Sequence, residues 1–202
     1  MKFDLILRIA IYSLSLSWFV FSVVWIYLYI KYARARRRKN ISIQKRDLKS
    51  IIGIILQAMA FFIIFSIHSD IGYSLQYPGI LIYLFTVLTI FIAPVSVIFA
   101  VYAVITLGHQ WSFGARLINN HKLITHGPYK VVRHPIYFTF FGLFISTAFV
   151  ITRPAAMLIA TMLFTWGTIQ RIHSEESLLL EQFGEEYLEY RKRVRMFIPF
   201  IY

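Results

Sequence analysis

The segment HKLITHGPYKVVRHPIY, residues 121–137, interrupts a chain that is otherwise dominated by long apolar runs. It carries three histidines and three basic residues at what the flanking runs mark as a membrane boundary. Ionisable groups are costly to hold at such a position, so a cluster of them is a candidate functional site. Arg171 and the pair Glu175-Glu176 follow the next two apolar runs and supply charges of both signs.

Outward from this segment, the composition is that of a membrane protein. Of the 202 residues, 58% are apolar and 15% are charged, and the mean hydropathy is +0.65. Runs of roughly 17–25 apolar residues match the hydrocarbon core of a bilayer, so we expect an all-α integral membrane protein. The pattern predicts five transmembrane helices, at about residues 5–30, 51–67, 79–107, 135–151 and 154–169.

Two of the four connections between these predicted helices are short. The last two helices form a tight hairpin around Thr152-Arg153-Pro154, and residues 68–78 form a turn region without lysine or arginine. Pro94 lies in the middle of the third helix, where it removes a backbone hydrogen bond and favours a kink.

Beyond the hairpin, an amphipathic helix is predicted from Ser174 onward. Its apolar residues recur on one face, and that stripe consists of Leu179, Phe183, Tyr187, Tyr190 and Val194. The chain therefore divides into N-terminal transmembrane helices, residues 1–106, and a core of loop, hairpin and C-terminal helix, residues 107–202.

The basic residues predict the orientation. Nine lysines and arginines lie in residues 31–50, four in 108–134 and five in 171–202, which is 18 of the 21 in the chain. Because cytoplasmic loops carry the excess of positive charge, we expect the N-terminus outside, and the C-terminus and the candidate site in the cytoplasm. The net charge of +12 thus indicates membrane topology and contact with anionic lipid rather than nucleic-acid binding.

The loop before the hairpin contains four histidines, at positions 109, 121, 126 and 134, yet it does not predict a metal site. The chain has no cysteine and this loop has no acidic residue, while its lysines and arginines would repel a divalent cation. The same density of donors suits an anion such as a carboxylate or a phosphate. Gly127-Pro128 predicts a turn in this loop, and Pro135 begins a helix at little cost because a first-turn N–H has no partner.

Three blocks of this chain resemble the isoprenylcysteine carboxyl methyltransferase family of integral membrane enzymes and, more loosely, the phospholipid N-methyltransferases. The blocks are LGHQWS at residues 107–112, the segment 121–137, and residues 171–190 with FGEEYLEY at 183–190. The resemblance covers about residues 105–199. It departs from many relatives at Thr139, where they have glycine after the His-Pro-x-Tyr block.

The resemblance implies S-adenosylmethionine as cofactor, bound in a pocket formed by the loop, the hairpin and the C-terminal helix. The residues that it implies as cofactor contacts are His121, Lys122, Leu123, Ile124, Tyr129, His134, Pro135, Ile136, Tyr137, Arg171 and Glu175. Chemically, the cofactor needs cationic donors, a carboxylate and an apolar slot, which His121 with Arg171, Glu175, and Leu123 with Tyr129 can supply. Which donor meets which end of the cofactor stays open. The candidate catalytic residues are Arg171, Glu175 and Arg133.

The implied reaction is methylation of a carboxylate on a prenylcysteine or a similar isoprenoid acid that enters from the bilayer. Such a carboxylate is ionised near neutral pH, so it needs no general base, and Arg171 or Arg133 is the expected clamp. Three alternatives remain open. A phospholipid amine N-methyltransferase would need a base such as Glu176 or a histidine. A nicotinamide-dependent lipid reductase would be expected to carry a glycine fingerprint, which the chain lacks. A non-enzymatic lipid-binding or transport protein would use the polar cluster to grip headgroups.

Overall fold

Helices make up most of the part of the chain that the computed structural model describes, namely residues 2–39, 41, 43–47, 49–67 and 79–197. The described helices are α1 (Lys2–Arg38), α2 (Ser50–Ser66), α3 (Gly79–Leu107), α4 (Pro135–Ile151), α5 (Pro154–Phe183) and α6 (Glu185–Arg193). Two short strands, β1 (Ile43–Arg46) and β2 (Arg116–Ile118), lie between them, with turns of 3₁₀ helix at Gly108–Gln110 and Gly127–Lys130.

Three of the described helices are long and apolar enough to cross a bilayer: α1, α3 and α5. The helices α2 and α4 are apolar but only 17 residues long. Their bounds agree closely with the expected segments, and the multi-pass membrane architecture is supported. The count of five transmembrane helices stays a prediction, and the predicted turn region at residues 68–78 lies outside the described residues.

The C-terminal part differs from its prediction in one respect. A separate helix from Ser174 onward is wrong, because α5 continues without interruption from the apolar run to Phe183. It ends at Gly184, whose φ of +50° lies in a region that other residues resist, and α6 follows directly. The predicted apolar stripe is nevertheless buried as one cluster: Tyr187, Tyr190 and Val194 pack with Leu123, Leu179 and Phe183.

The helices pack in pairs, with α1 against α3, α3 against α4, and α2 against α5. Phe144 of α4 and Phe164 of α5 are fully buried, and their rings stack at a centroid distance of 4.2 Å. The α2–α5 pair is close because glycines face each other: a Cβ added at Gly167 would lie 2.6 Å from the carbonyl oxygen of Gly53. Small residues at a crossing let two membrane helices approach closely.

The hairpin between α4 and α5 forms as predicted. Pro135 and Pro154 both stand in the first turn of their helices, and Thr152 and Arg153 between the helices have extended backbones. The Thr152 hydroxyl donates to the carbonyl oxygens of Ile64 and Ile67, at 3.1 and 3.0 Å. These contacts of the Thr152 hydroxyl tie the hairpin turn to the end of α2. Thr139, the departure from the family pattern, is buried, and its hydroxyl donates to Pro135 and Ile136 within the same helix.

An antiparallel pair of strands adds an element that the all-α expectation lacked. β1 precedes α2, β2 follows α3, and Ile43 pairs with Ile118 and Arg46 with Arg116. The Ser50 side chain accepts a hydrogen bond from the Ala115 backbone at 3.3 Å and extends the link into α2. The two loops on the predicted cytoplasmic side are therefore joined. Within α3 the helix runs through Pro94 without a break in its assigned structure.

Candidate functional site

A cavity of about 830 Å³ opens where these loops meet the helices. A volume of roughly 300–1,000 Å³ is usual for small-molecule sites. All twelve residues expected at the site line this one cavity: His121, Lys122, Leu123, Ile124, Tyr129, Arg133, His134, Pro135, Ile136, Tyr137, Arg171 and Glu175. The loop, the start of α4 and the middle of α5 thus converge, although they are separated by up to 54 positions in the sequence.

The loop segment from His121 is held in place by a buried glutamine. The Lys122 backbone N–H donates to Oε1 of Gln110 at 2.6 Å, and Nε2 of Gln110 donates back to the Lys122 carbonyl at 3.2 Å. Gln110 is 7% exposed and belongs to the 3₁₀ turn after α3. It fixes the register of the segment against the membrane helices. It lies within the LGHQWS block, but no role was predicted for it.

His121 lines the cavity and has one unpaired ring nitrogen. Its Nδ1 atom is buried and has no hydrogen-bond partner among the described residues. Burial and, to a smaller extent, the nearby His109 lower the pKa of His121 to about 4, against the opposing effect of the Glu175 carboxylate. The ring is therefore neutral near pH 7 and offers one donor and one acceptor.

Tyr129 follows the predicted turn, which the structure confirms: Gly127 has a φ of +60°, and Pro128 begins a 3₁₀ turn. The Tyr129 side chain is 7% exposed, and burial raises the pKa of its hydroxyl. The carbonyl of Tyr129 accepts a hydrogen bond from the Tyr190 hydroxyl of α6 at 2.6 Å. The C-terminal helix thus anchors this wall of the cavity.

Two neighbouring acidic residues of α5, Glu175 and Glu176, differ in their contacts and in their exposure. Glu176 is 9% exposed at its side chain, and one of its oxygens accepts from Nε of Arg133 at 2.9 Å and contacts Nε2 of His134 at 3.1 Å. Glu175, with a side chain 31% exposed, accepts from the Tyr137 hydroxyl at 2.5 Å and lies 3.6 Å from Nδ1 of His134. Glu176 is engaged with the protein, while Glu175 retains a face toward the cavity.

His134 is held between these two carboxylates. Burial by itself lowers its pKa, but the hydrogen bonds and negative charges of Glu175 and Glu176 outweigh burial and raise it. The backbone of the same segment is fixed by the C-terminal tail, because the N–H groups of Arg133 and His134 donate to the carbonyls of Arg195 and Met196. The start of α4 is therefore rigidly positioned.

Arg171 lies where the polar part of the cavity meets its apolar part. One terminal nitrogen donates to Oε1 of Gln57 at 2.8 Å, and the other donates to the Phe113 carbonyl. The guanidinium carbon lies 4.7 Å from the centroid of the Tyr137 ring, a cation–π geometry. Its Nε atom is buried without a hydrogen-bond partner in the described part of the chain. Arg171 and Glu175 lie one turn apart on α5, but they are not among the ion pairs formed by the described residues.

The apolar part of the cavity extends between α1 and α2. The residues that line it are Trp18, Phe21 and Trp25 of α1, Ile54, Ala58, Phe61 and Phe65 of α2, and Phe140 of α4. Phe65 is 57% exposed and Ile54 is 37% exposed, so this arm of the cavity reaches the face that meets lipid. We refer to it as the apolar arm. The arrangement accommodates a molecule with an ionic head and a long hydrocarbon tail.

Several residues at the site had no predicted role or a different one. Gln57 had no role, although a lone glutamine in an apolar helix is a usable signal. Tyr187 was assigned only to the buried stripe, yet it lines the cavity with a buried hydroxyl that has no hydrogen-bond partner among residues 2–197 that are described. Across that same described part, no group of three or more histidines and acidic residues has the geometry of a metal site.

Comparisons with known proteins agree with the motif blocks. A model of the isoprenylcysteine carboxyl methyltransferase family matches residues 86–181, which include the first two blocks and the start of the third. The predicted resemblance is therefore confirmed for this part of the chain. This region holds all twelve predicted site residues, whereas α1 and α2 lie before it.

Among curated proteins, the chain is 36% identical over 101 residues to a probable protein-S-isoprenylcysteine O-methyltransferase of Oryza sativa subsp. indica, covering 49% of this chain and 53% of the relative. It is 35% identical over 98 residues to the protein-S-isoprenylcysteine O-methyltransferase of Saccharomyces cerevisiae, covering 48% of this chain and 41% of the relative. The chain spans about half the length, or less, of these relatives.

A solved structure also resembles the fold. It is the eukaryotic intramembrane Ras methyltransferase ICMT, which aligns with a TM-score of 0.50 and 24% sequence identity over 73% of this chain and 52% of that chain. At this identity the likeness concerns the fold. It extends the resemblance beyond the residues that the family model matches.

Proposed function

We propose that this chain, whose residues 86–181 match the isoprenylcysteine carboxyl methyltransferase family, is a methyltransferase that depends on S-adenosylmethionine. Its acceptor is the carboxylate of a prenylcysteine or a similar isoprenoid-linked acid. The names of the relatives support the reaction class. The geometry supports the acceptor class independently.

One observation supports the acceptor most directly: Arg171 lies at the junction of the apolar arm and the polar pocket, with its Nε unpartnered. A guanidinium has five N–H donors, and hydrogen bonds to Gln57 and Phe113 occupy only two of its nitrogens. The exposed apolar arm suits an isoprenoid tail, and the remaining donors of Arg171 suit a carboxylate at its head. A cationic headgroup would be repelled at the same point.

The residues of the polar pocket fit the cofactor. The buried Nδ1 of His121 and the hydroxyl of Tyr187 are unsatisfied donors or acceptors in its wall, and a polar ligand would relieve the cost of leaving them unpaired. We assign cofactor binding to the residues from His121 to Ile124, Tyr129, the residues from His134 to Tyr137, and Glu175. When bound, S-adenosylmethionine supplies an electrophilic methyl group on a sulfonium. Glu175, with its partly exposed carboxylate, is the expected partner of a positive group.

Catalysis by this chain rests on positioning. The acceptor carboxylate is ionised near neutral pH and attacks without a general base, so the protein must hold it in line and exclude water. Arg171 holds the carboxylate, and the face of the Tyr137 ring packs against the guanidinium of Arg171. The engagement of Glu176 with Arg133 and His134 argues against its use as the base that an amine acceptor would require.

Arg133, which was expected as an alternative to Arg171 for holding the acceptor carboxylate, is already bonded to the protein. Its side chain is 8% exposed, pairs with Glu176, and donates to the Val194 carbonyl at 2.6 Å. These bonds occupy its guanidinium and connect the start of α4 to α5 and to the tail after α6. We therefore assign Arg133 a positioning role.

The two reactants are proposed to enter from different sides. An isoprenoid tail crosses water at a cost of about 0.8 kcal/mol per methylene, so the acceptor enters from the bilayer between α1 and α2. The cofactor enters from the cytoplasm, with the loop at residues 108–134 and α6 as its cover. In this arrangement residues 1–106 supply the membrane anchor and much of the apolar arm, and residues 107–202 supply the methyltransferase core.

Methyl transfer to a panel of acceptors tests the function. The purified chain in lipid nanodiscs is supplied with tritiated S-adenosylmethionine and either a prenylcysteine or an aminolipid. We expect a base-labile methyl ester with the prenylcysteine. Its rate of formation should not rise over the pH range in which an amine acceptor would lose its proton. A base-stable product on the aminolipid would contradict the proposal and favour N-methylation.

Replacement of Arg171 tests the acceptor clamp. Arg171→Ala should lower kcat/KM for a prenylcysteine about a hundredfold, which is typical for loss of one preorganised charged donor. Arg153→Ala, in the exposed hairpin turn, is the matched control and should retain the wild-type rate. Unaltered initial rates in the Arg171 variant would remove this residue from the proposed role.

A further inference from the structure

Gln57 is the one strongly polar side chain on the cavity-facing stripe of α2. Its neighbours on that stripe are Ile54, Ala58, Phe61 and Phe65, all of which are apolar. Gln57 is 3% exposed. A buried amide in an apolar helix is costly unless both its ends are hydrogen-bonded.

Both ends of the Gln57 amide are paired to α5. Its oxygen accepts from Arg171 at 2.8 Å, and its nitrogen donates to the Thr168 hydroxyl at 2.9 Å. Arginine can only donate, so the amide oxygen must face Arg171 and the amide nitrogen must face Thr168. Thr168 in turn donates to the Phe164 carbonyl one turn earlier at 2.8 Å. This chain of bonds leaves Gln57 a single orientation.

The neutral amide also preserves the charge of Arg171. A carboxylate at this position would accept the same hydrogen bond but would cancel the positive charge of the guanidinium. An amide holds one terminal nitrogen while the full charge and the remaining N–H donors of the terminal nitrogens stay available to an anionic ligand. Gln57 therefore fixes the direction of Arg171 without competing for its charge.

We infer that Gln57 is a positioning residue that aims Arg171 at the acceptor carboxylate. This inference rests on the proposed function and deepens it. It assigns part of acceptor recognition to α2, which precedes the residues that the family model matches. Acceptor binding then depends on the α2–α5 pair, while cofactor binding depends on the loop, α4 and Glu175.

Two substitutions of Gln57 separate this role from a structural one. Gln57→Met keeps the size of the side chain and removes both bonds, and it should raise KM for N-acetyl-S-farnesylcysteine about ten- to a hundredfold. The Kd for S-adenosylmethionine should not change. Gln57→Glu should weaken binding of the carboxylate acceptor but leave inhibition by its uncharged methyl ester at the wild-type level. If Gln57 had a purely structural role, this substitution would weaken binding of the acid and of the ester equally.

Two further variants complete the experiment. Thr168→Val removes only the second bond of the amide and should give a smaller increase in the acceptor KM. Phe62→Leu, at a side chain that is 72% exposed on the lipid face of α2, is the matched control and should behave as wild type.

The possible outcomes distinguish failure of the role of Gln57 from failure of the proposed function. Wild-type acceptor KM in both Gln57 variants, or equal losses of acceptor and cofactor binding, would overturn the role of Gln57 and leave the proposed function intact. A wild-type protein that binds S-adenosylmethionine but methylates no carboxylate acceptor would overturn both.

Discussion

At the scale of single residues, the pKa values of two histidines that line the cavity are shifted in opposite directions. Burial and the nearby His109 lower the pKa of His121, whereas the carboxylates of Glu175 and Glu176 raise the pKa of His134. The two residues are only 13 positions apart in the loop. Their difference comes from α5, which brings carboxylates close to one ring and leaves the other without a partner.

The stability of the protein should therefore fall on acidification through His121. In the unfolded chain this ring binds a proton near pH 6.5, but in the folded protein it does so only near pH 4. Between these values the unfolded state binds more protons, so the free energy of unfolding decreases as pH falls through this window. For His134 the sign is opposite: its contribution is present below roughly pH 6.5 and is lost as pH rises through its higher folded pKa.

Thermal unfolding at a series of pH values checks the prediction for His121. His121→Gln should lose less stability than wild type between roughly pH 6.5 and pH 4, because the carboxylates that titrate there are common to both proteins. His173→Gln is the matched control, since the His173 side chain is exposed on α5. Parallel pH profiles for wild type and His121→Gln would show that the ring is not held neutral.

At the scale of elements, the crossing of α2 and α5 determines where Arg171 lies. Gly53 and Gly167 let the two helix backbones touch, and Gln57 and Arg171 then meet one turn beyond each glycine. The site therefore depends on a contact between residues that carry no chemistry themselves.

Gly167→Ala should disturb this crossing. The new Cβ would lie 2.6 Å from the Gly53 carbonyl oxygen and 3.2 Å from Cγ of Gln57, so the helices must separate. Overpacking of this kind destabilises by about 1–3 kcal/mol, and we expect the acceptor KM to rise in parallel. Gly79→Ala is the control, because a Cβ there meets nothing within 4 Å. Retention of both stability and acceptor KM by the Gly167 variant would contradict the role of the crossing.

Sequence patterns predicted the elements better than their contacts. Apolar runs and first-turn prolines located α3, α4 and the start of α5, since hydropathy and proline chemistry are local properties. The continuation of α5 to Phe183 was missed because its hydropathy falls at the membrane boundary while its helical structure does not.

The site residues could be predicted because they lie in two of the three motif blocks, at residues 121–137 and 171–190. The partners of these residues could not be found in the same way. Gln57 binds Arg171 across 114 positions and Gln110 binds a backbone, and neither contact leaves a pattern in the sequence. The strands β1 and β2 were missed for the same reason, because strands of three or four residues have no readable period.

At the scale of the whole molecule, the charged residues that line the cavity lie on the side that the basic residues predict to be cytoplasmic. The strand pair β1–β2 and the loop at residues 108–134 lie on this side, and the turn between α4 and α5 lies at the other end of the helices. From the predicted topology of five membrane crossings, we expect the N-terminus to lie outside.

The absence of cysteine from the chain allows a direct test of this orientation. Single cysteines are introduced in place of Lys39 and Arg153, both of which are exposed, and intact cells are treated with a maleimide that does not cross membranes. We expect labelling of Arg153→Cys and protection of Lys39→Cys until the cells are permeabilised. The reverse pattern would show the opposite topology.

The contacts of α6 also have a consequence for biosynthesis. Tyr190 holds Tyr129, and the residues that follow α6 hold the backbone of Arg133 and His134. These groups leave the ribosome after α1 to α5 have been made, so membrane insertion can finish while the pocket is still incomplete. We therefore expect the pocket to be completed only after insertion, and a chain truncated before α6 to enter the bilayer without these contacts.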